Sequence, residues 1–208
     1  MLRGVFAMSF EQRNRVNTDN SQLIQMPERM SQNQENPAPM NEENPSYFSS
    51  FGGIVREISI RKENNNYWNY ILVENKDSTF ANLVVTPDTY FVYNTMVSVG
   101  SDITGYFPAN APVPMIYLPQ YRAMVLVVEP LWQIIKVDFF DENLVSMDGT
   151  LKLNIGDHTE VVNQDGTPYE GGLENQLLVV YYGFSTRSIP SIAIPLRVVV
   201  LKNNPNNI

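Results

Sequence analysis

The sequence predicts an all-β protein, two tandem OB-like small β-barrels preceded by a disordered N-terminal arm. Three observations predict it. From Phe51 onward, short runs of Val, Ile, Leu, Tyr and Phe alternate with Asn, Asp, Gly and Pro clusters about every eight to twelve residues. No window shows a competing helical period. The two halves of this region also resemble each other residue for residue.

The arm is residues 1–48. Residues 11–47 hold few β-branched or aromatic side chains, four prolines and many Gln and Asn. So little apolar surface cannot offset the entropy of ordering, and the arm is expected to be disordered when free. Its one apolar cluster, Ser21-Gln22-Leu23-Ile24-Gln25-Met26, reads as a strand that could be donated to the edge of another sheet, with Leu23, Ile24 and Met26 as the docking side chains. The true start is open between Met1 and Met8.

The first module, residues 49–130, has candidate strands at 53–61, 67–74, 79–86, 90–93, 102–107 and 122–129. The second, residues 131–204, has them at 132–140, 143–147, 150–154, 159–163, 176–182 and 196–202. Residues 123–128 are apolar on both faces, which suits a strand lying between the two modules. Asp88-Thr89-Tyr90-Phe91-Val92 matches His158-Thr159-Glu160-Val161-Val162 at an offset of 70. Ile103, Tyr106, Phe107, Arg122 and Leu126 match Leu178, Tyr181, Tyr182, Arg197 and Leu201 at 75, and Ile54-Val55-Arg56 faces Ile134-Ile135-Lys136 at 80. Five or six short strands in roughly seventy-five residues would bury an inner face by curling into a barrel.

Charge and composition exclude more than they select. With 14 basic and 22 acidic side chains the net charge is −8, and no segment is basic, so long-range attraction to nucleic acid or an anionic membrane is not expected. There is no cysteine, which removes disulfides, thiolate metal sites and cysteine nucleophiles. The opening MLRGVFAMSF holds an apolar run too short for a secretory signal, and no stretch is long enough to span a membrane, so a protein made in the cytoplasm is expected. Catalytic signatures are missing: the single histidine, His158, precedes a strand where the other copy has Asp88, and no GxSxG, HExxH or phosphate loop occurs. Asp138, Asp141, Glu142 and Asp148 could in principle bind calcium, but their spacing is not that of an EF-hand, and Asp141-Glu142-Asn143 and Asp148-Gly149 suit tight turns. No enzyme activity, cofactor or metal is expected.

Two segments are candidates for binding. Tyr67, Trp68 and Tyr70 form the densest aromatic patch, with Trp68 and Tyr70 on one strand face, where they could stack on a sugar or base, fill the core or meet another subunit. Residues 105–121, GYFPANAPVPMIYLPQY, carry four prolines between 108 and 119, which fix φ and remove backbone donors. A stiff extended crossing is expected there, either capping an open sheet end or presenting Tyr106, Met115, Tyr117 and Tyr121 as a ridge for a peptide or sugar. In the second copy SIPSIAIP, residues 188–195, keeps only Pro190 and Pro195.

Together with VTPDTYFV (85–92) and SMDGTLKLNI (146–155), this corner resembles a family of clostridial proteins in which a duplicated small β-barrel bears a GYYDANAPVPLIYPPQY-like corner. The likeness spans roughly residues 51 to 201. Pro108 stands where that pattern has an acidic residue, and Leu118 where it has a proline. The resemblance implies a duplicated barrel and, from some duplicated members, a setting on the spore surface or its appendages. The expected function is therefore a non-enzymatic structural protein that self-assembles through its arm. The alternative is a glycan- or peptide-binding module using Trp68, Tyr70, Tyr106, Tyr117 and Tyr121.

Overall fold

The computed structural model describes residues 45–63 and 66–202. The arm residues Leu23, Ile24 and Met26 lie outside the described residues. The strands are β1 (Phe48–Glu63), β2 (Asn66–Glu74), β3 (Phe80–Val85), β4 (Tyr90–Phe91), β5 (Asp102–Pro108), β6 (Gln120–Arg122), β7 (Val125–Glu129), β8 (Ile134–Phe140), β9 (Leu151–Leu153), β10 (Glu160–Asn163), β11 (Gln176–Tyr182), β12 (Ser191–Ala193) and β13 (Arg197–Val200). Among the described residues the only helical element is one 3₁₀ turn at Val92–Asn94, and no helix is long and apolar enough to cross a membrane.

All-β is what forms, but the tandem OB-like barrels are not. The strands make a seven-stranded sheet in the order β4-β7-β5-β1-β2-β3-β6, a four-stranded sheet β10-β13-β11-β8 and a separate pair β12-β9. No ladder joins the edge strands of any of these sheets. The strand expected to close the first barrel breaks at Ala123 and Met124 into β6, which pairs with β3, and β7, which pairs with β4 and β5. The architecture is a β-solenoid, a stacked coil of about three turns.

The internal repeat is written in the ladders. In both copies a short strand runs parallel to the last strand (β4 with β7, β10 with β13), which is antiparallel to the next (β5, β11), which is antiparallel to the opening strand (β1, β8). The parallel pair β3 with β6 recurs as β9 with β12. Removing β2 from the seven-stranded order leaves the connectivity of the second copy. There the counterpart of β2 is reduced to the isolated bridges Phe140↔Ser146 and Val145↔Lys152, and the sheet splits in two.

Atomic detail repeats as well. The Thr89 hydroxyl accepts from the Thr86 N–H at 3.0 Å and donates to the Ala123 carbonyl at 2.7 Å. The Thr159 hydroxyl accepts from Gly156 at 3.2 Å and donates to Pro195 at 2.7 Å. Two of the sequence offsets need correcting. Ile103 faces Val128 while Leu178 faces Val200, so the last strands superpose at 72 rather than 75. Gly53 faces Ile103 while Asp138 faces Leu178, so the opening strands superpose at 85 rather than 80.

The core is layered. One cluster joins Phe48, Val125 and Val127 to Val137, Leu177, Val179, Tyr181, Val199 and Leu201, so side chains from both copies share a single apolar layer. Outside it, Val55, Val73, Leu83, Ile103 and Leu126 pack on the far face of the first copy's sheet, and Phe140, Leu151, Leu178, Val180 and Val198 on the far face of the second's. This explains the doubly apolar strands, since β7, β11 and β13 are buried on both sides. The Tyr90 and Tyr181 hydroxyls meet at 2.9 Å in the shared layer.

β1 serves two partners. Phe48–Ile54 pairs with β5 and Ile54–Glu63 with β2, with a register shift between Val55 and Glu57. The change of partner falls at Gly53, whose φ of +153° suits glycine and whose position leaves no room for a Cβ, since one would lie 2.1 Å from the Glu74 carbonyl oxygen. Beyond Val55 β1 pairs with β2 alone, and the tip of this hairpin overhangs β3, whose ladder with β2 ends at Asn69; the overhang carries Trp68, while Tyr70 still pairs with Val84.

Candidate functional site

The overhanging hairpin and the proline-rich corner, far apart in sequence, meet. Trp68, Tyr70, Val84, Phe107, Ala111, Pro112, Pro114, Tyr121 and Arg122 line one cleft of about 260 Å³, and Val113 and Gln120 complete its wall. Cross-strand pairing sets Arg61 opposite Trp68 and Ser59 opposite Tyr70, which fixes one face of the hairpin toward the corner. Tyr121 enters from β6, with its ring stacked on Phe107 at 4.3 Å and tilted against Phe51 at 5.9 Å. Two guanidinium groups lie over the aromatic face: Arg122 is 5.5 Å from the Trp68 ring centre and Arg61 4.4 Å from that of Tyr70.

Of the five binding candidates, three converge here. Trp68 is half-buried at the mouth, Tyr121 forms the wall, and Tyr70, 3% exposed, is floor rather than contact surface. Tyr106 lies on the opposite face of β5 from Phe107 and packs against the shared core layer. Burial, and secondarily the Glu129 carboxylate, raise its pKa, which keeps it neutral. Tyr117 is 95% exposed on the outside of the corner. The corner is not the extended crossing that was expected: the Ala111 N–H bonds back to the Pro108 carbonyl and that of Ile116 to Pro114, so it folds into successive turns. That folding brings Ala111, Pro112 and Pro114 over the cleft. Arg122 and Phe107 were not singled out from sequence. Alternation could have signalled Arg122, which shares a sheet face with Val84, Tyr70 and Trp68, but not Phe107, which belongs with Ile103 to the other face.

The second copy has the equivalent depression with different chemistry. Asn82 pairs with Gln120 and Lys152 with Ile192, so Gln120 and Arg122 correspond to Ile192 and Ile194. These line an open groove of about 690 Å³ with Phe184, Leu196, Asn154, Ser185 and Thr186. No hairpin overhang covers it, and Phe184 is 93% exposed.

The carboxylates serve the fold. Asp141 accepts the N–H groups of Asn143 and Val145 at 2.8 and 2.9 Å. Asp148 accepts from Ser146 and Thr150 and pairs with Lys136, which also lies 3.5 Å from the fully buried Asp138. Among the described residues no three His, Cys, Asp or Glu side chains are grouped so as to hold a metal ion. His158 is exposed beside the Thr159 turn.

No protein-family model matches the chain, and no curated protein or solved structure matches it either.

Proposed function

We propose that this chain is a non-enzymatic binding protein that grips a glycan or peptide in the cleft between the β1–β2 overhang and the proline-rich corner. One observation carries the reading. Trp68, Tyr70 and Tyr121, together with four corner residues, line a single concave site that has an apolar wall and a few polar groups at its rim, the usual make-up of a ligand site. Trp68 supplies a rigid half-buried ring, and the prolines pre-organise the opposite wall at little entropic cost. Trp68→Ala should lower affinity for an oligosaccharide or extended peptide by about tenfold or more while leaving the circular dichroism spectrum intact. Saturable binding undiminished in that variant would overturn the reading.

A second reading, self-association, is favoured by the apolar groove of the second copy. Exposed contiguous apolar surface of this kind commonly marks a contact with another chain. The donor proposed from sequence is the segment containing Leu23, Ile24 and Met26. The resemblance of residues 105–121 to the clostridial family supports a spore-surface setting for either role.

A further inference from the structure

We infer that the Trp68 cleft selects an acidic sugar unit, with the ring stacked on Trp68 and the acid group held by Arg122 and Arg61. The inference rests on reading the cleft as a glycan site and adds the charge of its ligand.

Charge placement is the first ground. The chain carries a net charge of −8, yet no carboxylate lines the cleft, and Arg61 and Arg122 lie over its aromatic rings. Arg122 touches one acid, Asp88, at 3.6 Å, and both side chains are more than half exposed, so this pair is weak and yields easily to a ligand. Guanidinium groups bind carboxylates and sulfate esters through paired N–H donors, a geometry an ammonium lacks.

The duplication is the second ground, and it is independent. The groove of the second copy keeps the backbone arrangement but has Ile192 and Ile194 where the cleft has Gln120 and Arg122. The polar handles therefore belong to the first copy's site and not to the repeat's architecture.

Size is the third. A volume of about 260 Å³ falls below the roughly 300–1,000 Å³ of sites that enclose a drug-sized ligand, so one ring enters and the rest of a chain lies along the surface. Two cations on one face of an acidic protein do not make the continuous basic track that single-stranded nucleic acid requires.

The test uses the full chain and Trp fluorescence titration with four probes: an oligogalacturonide, a sulfated galactan oligosaccharide, a neutral cello-oligosaccharide and oligo-dT. One or both acidic sugars should bind, more weakly as salt rises, and the tighter of the two identifies the acid group. Arg122→Gln and Arg61→Gln, both exposed positions, should each lower that affinity by about tenfold, while Asp88→Asn should preserve or raise it. Equal, salt-independent binding of the neutral sugar would overturn the acidic preference and leave the glycan reading standing. Tightest binding of oligo-dT, or no binding of any probe, would overturn both.

Discussion

Asp138 and Asp148 share one lysine, and the two carboxyl groups respond to their surroundings in opposite directions. Burial pushes Asp138 up, partly countered by the Lys136 ammonium and by N–H groups of Phe139 and Tyr47. Burial also acts on Asp148, but hydrogen bonds from Lys136, Ser146 and Thr150 outweigh it and hold this carboxyl at about 2. A depressed folded-state pKa contributes stability above the unfolded value near 4, and that stability is lost as pH falls toward 2. Asp148→Asn should therefore cost about 1–2 kcal/mol at pH 7, after discounting for partial exposure, and almost nothing near pH 2. Urea denaturation at the two pH values checks this; an equal deficit at both would contradict it. The turn role of Asp141 was legible because an Asx turn is made by neighbours in sequence. The setting of Asp138 was not, because one of its hydrogen-bond donors is the Tyr47 N–H, 91 residues away.

Among the elements, β1 is the most constrained. Gly53 sits where the strand passes from β5 to β2, with a backbone conformation and a contact that both reject a side chain. Gly53→Ala should destabilise the protein by about 2–4 kcal/mol, read as a lower urea midpoint; a midpoint shift worth less than about 0.5 kcal/mol would show that the strand can re-route. The long aromatic and aliphatic run of β2 and the alternation of β5 were visible in sequence, as was the doubly apolar β7. The three-residue strands β6 and β12 were not, since three residues carry no period and each adjoins a proline-rich stretch. The misplaced offset of 75 has a related cause. Where a strand is apolar on both faces, sliding it costs the pattern nothing, so Arg122 matched Arg197 by identity while the hydrogen bonds align Val128 with Val200.

At the scale of the molecule, the closed barrels failed because they assumed that each small sheet must bury its own inner face. The two copies instead lay sheets against a common layer containing Val127, Val179 and Val199, which covers surface that curling would otherwise have had to hide. Nothing local distinguishes these solutions, since both ask for the same alternation. The binding residues were partly readable: the aromatic strand and the proline corner stood out separately, but their meeting follows from the overhang of β1–β2 and the turns at Pro108 and Pro114. The uncovered groove of the second copy bears on assembly. Phe184→Ser should reduce self-association in sedimentation velocity without altering the Trp68 cleft, and an unchanged distribution that already contains oligomers would move the contact elsewhere.

The layer held in common also bears on the history open to this chain. Repeats that merely touch can be added or dropped, but here losing either half would strand the other with a greasy sheet facing water. Variation is left to the rims, where one half has glutamine and arginine and the other has isoleucine.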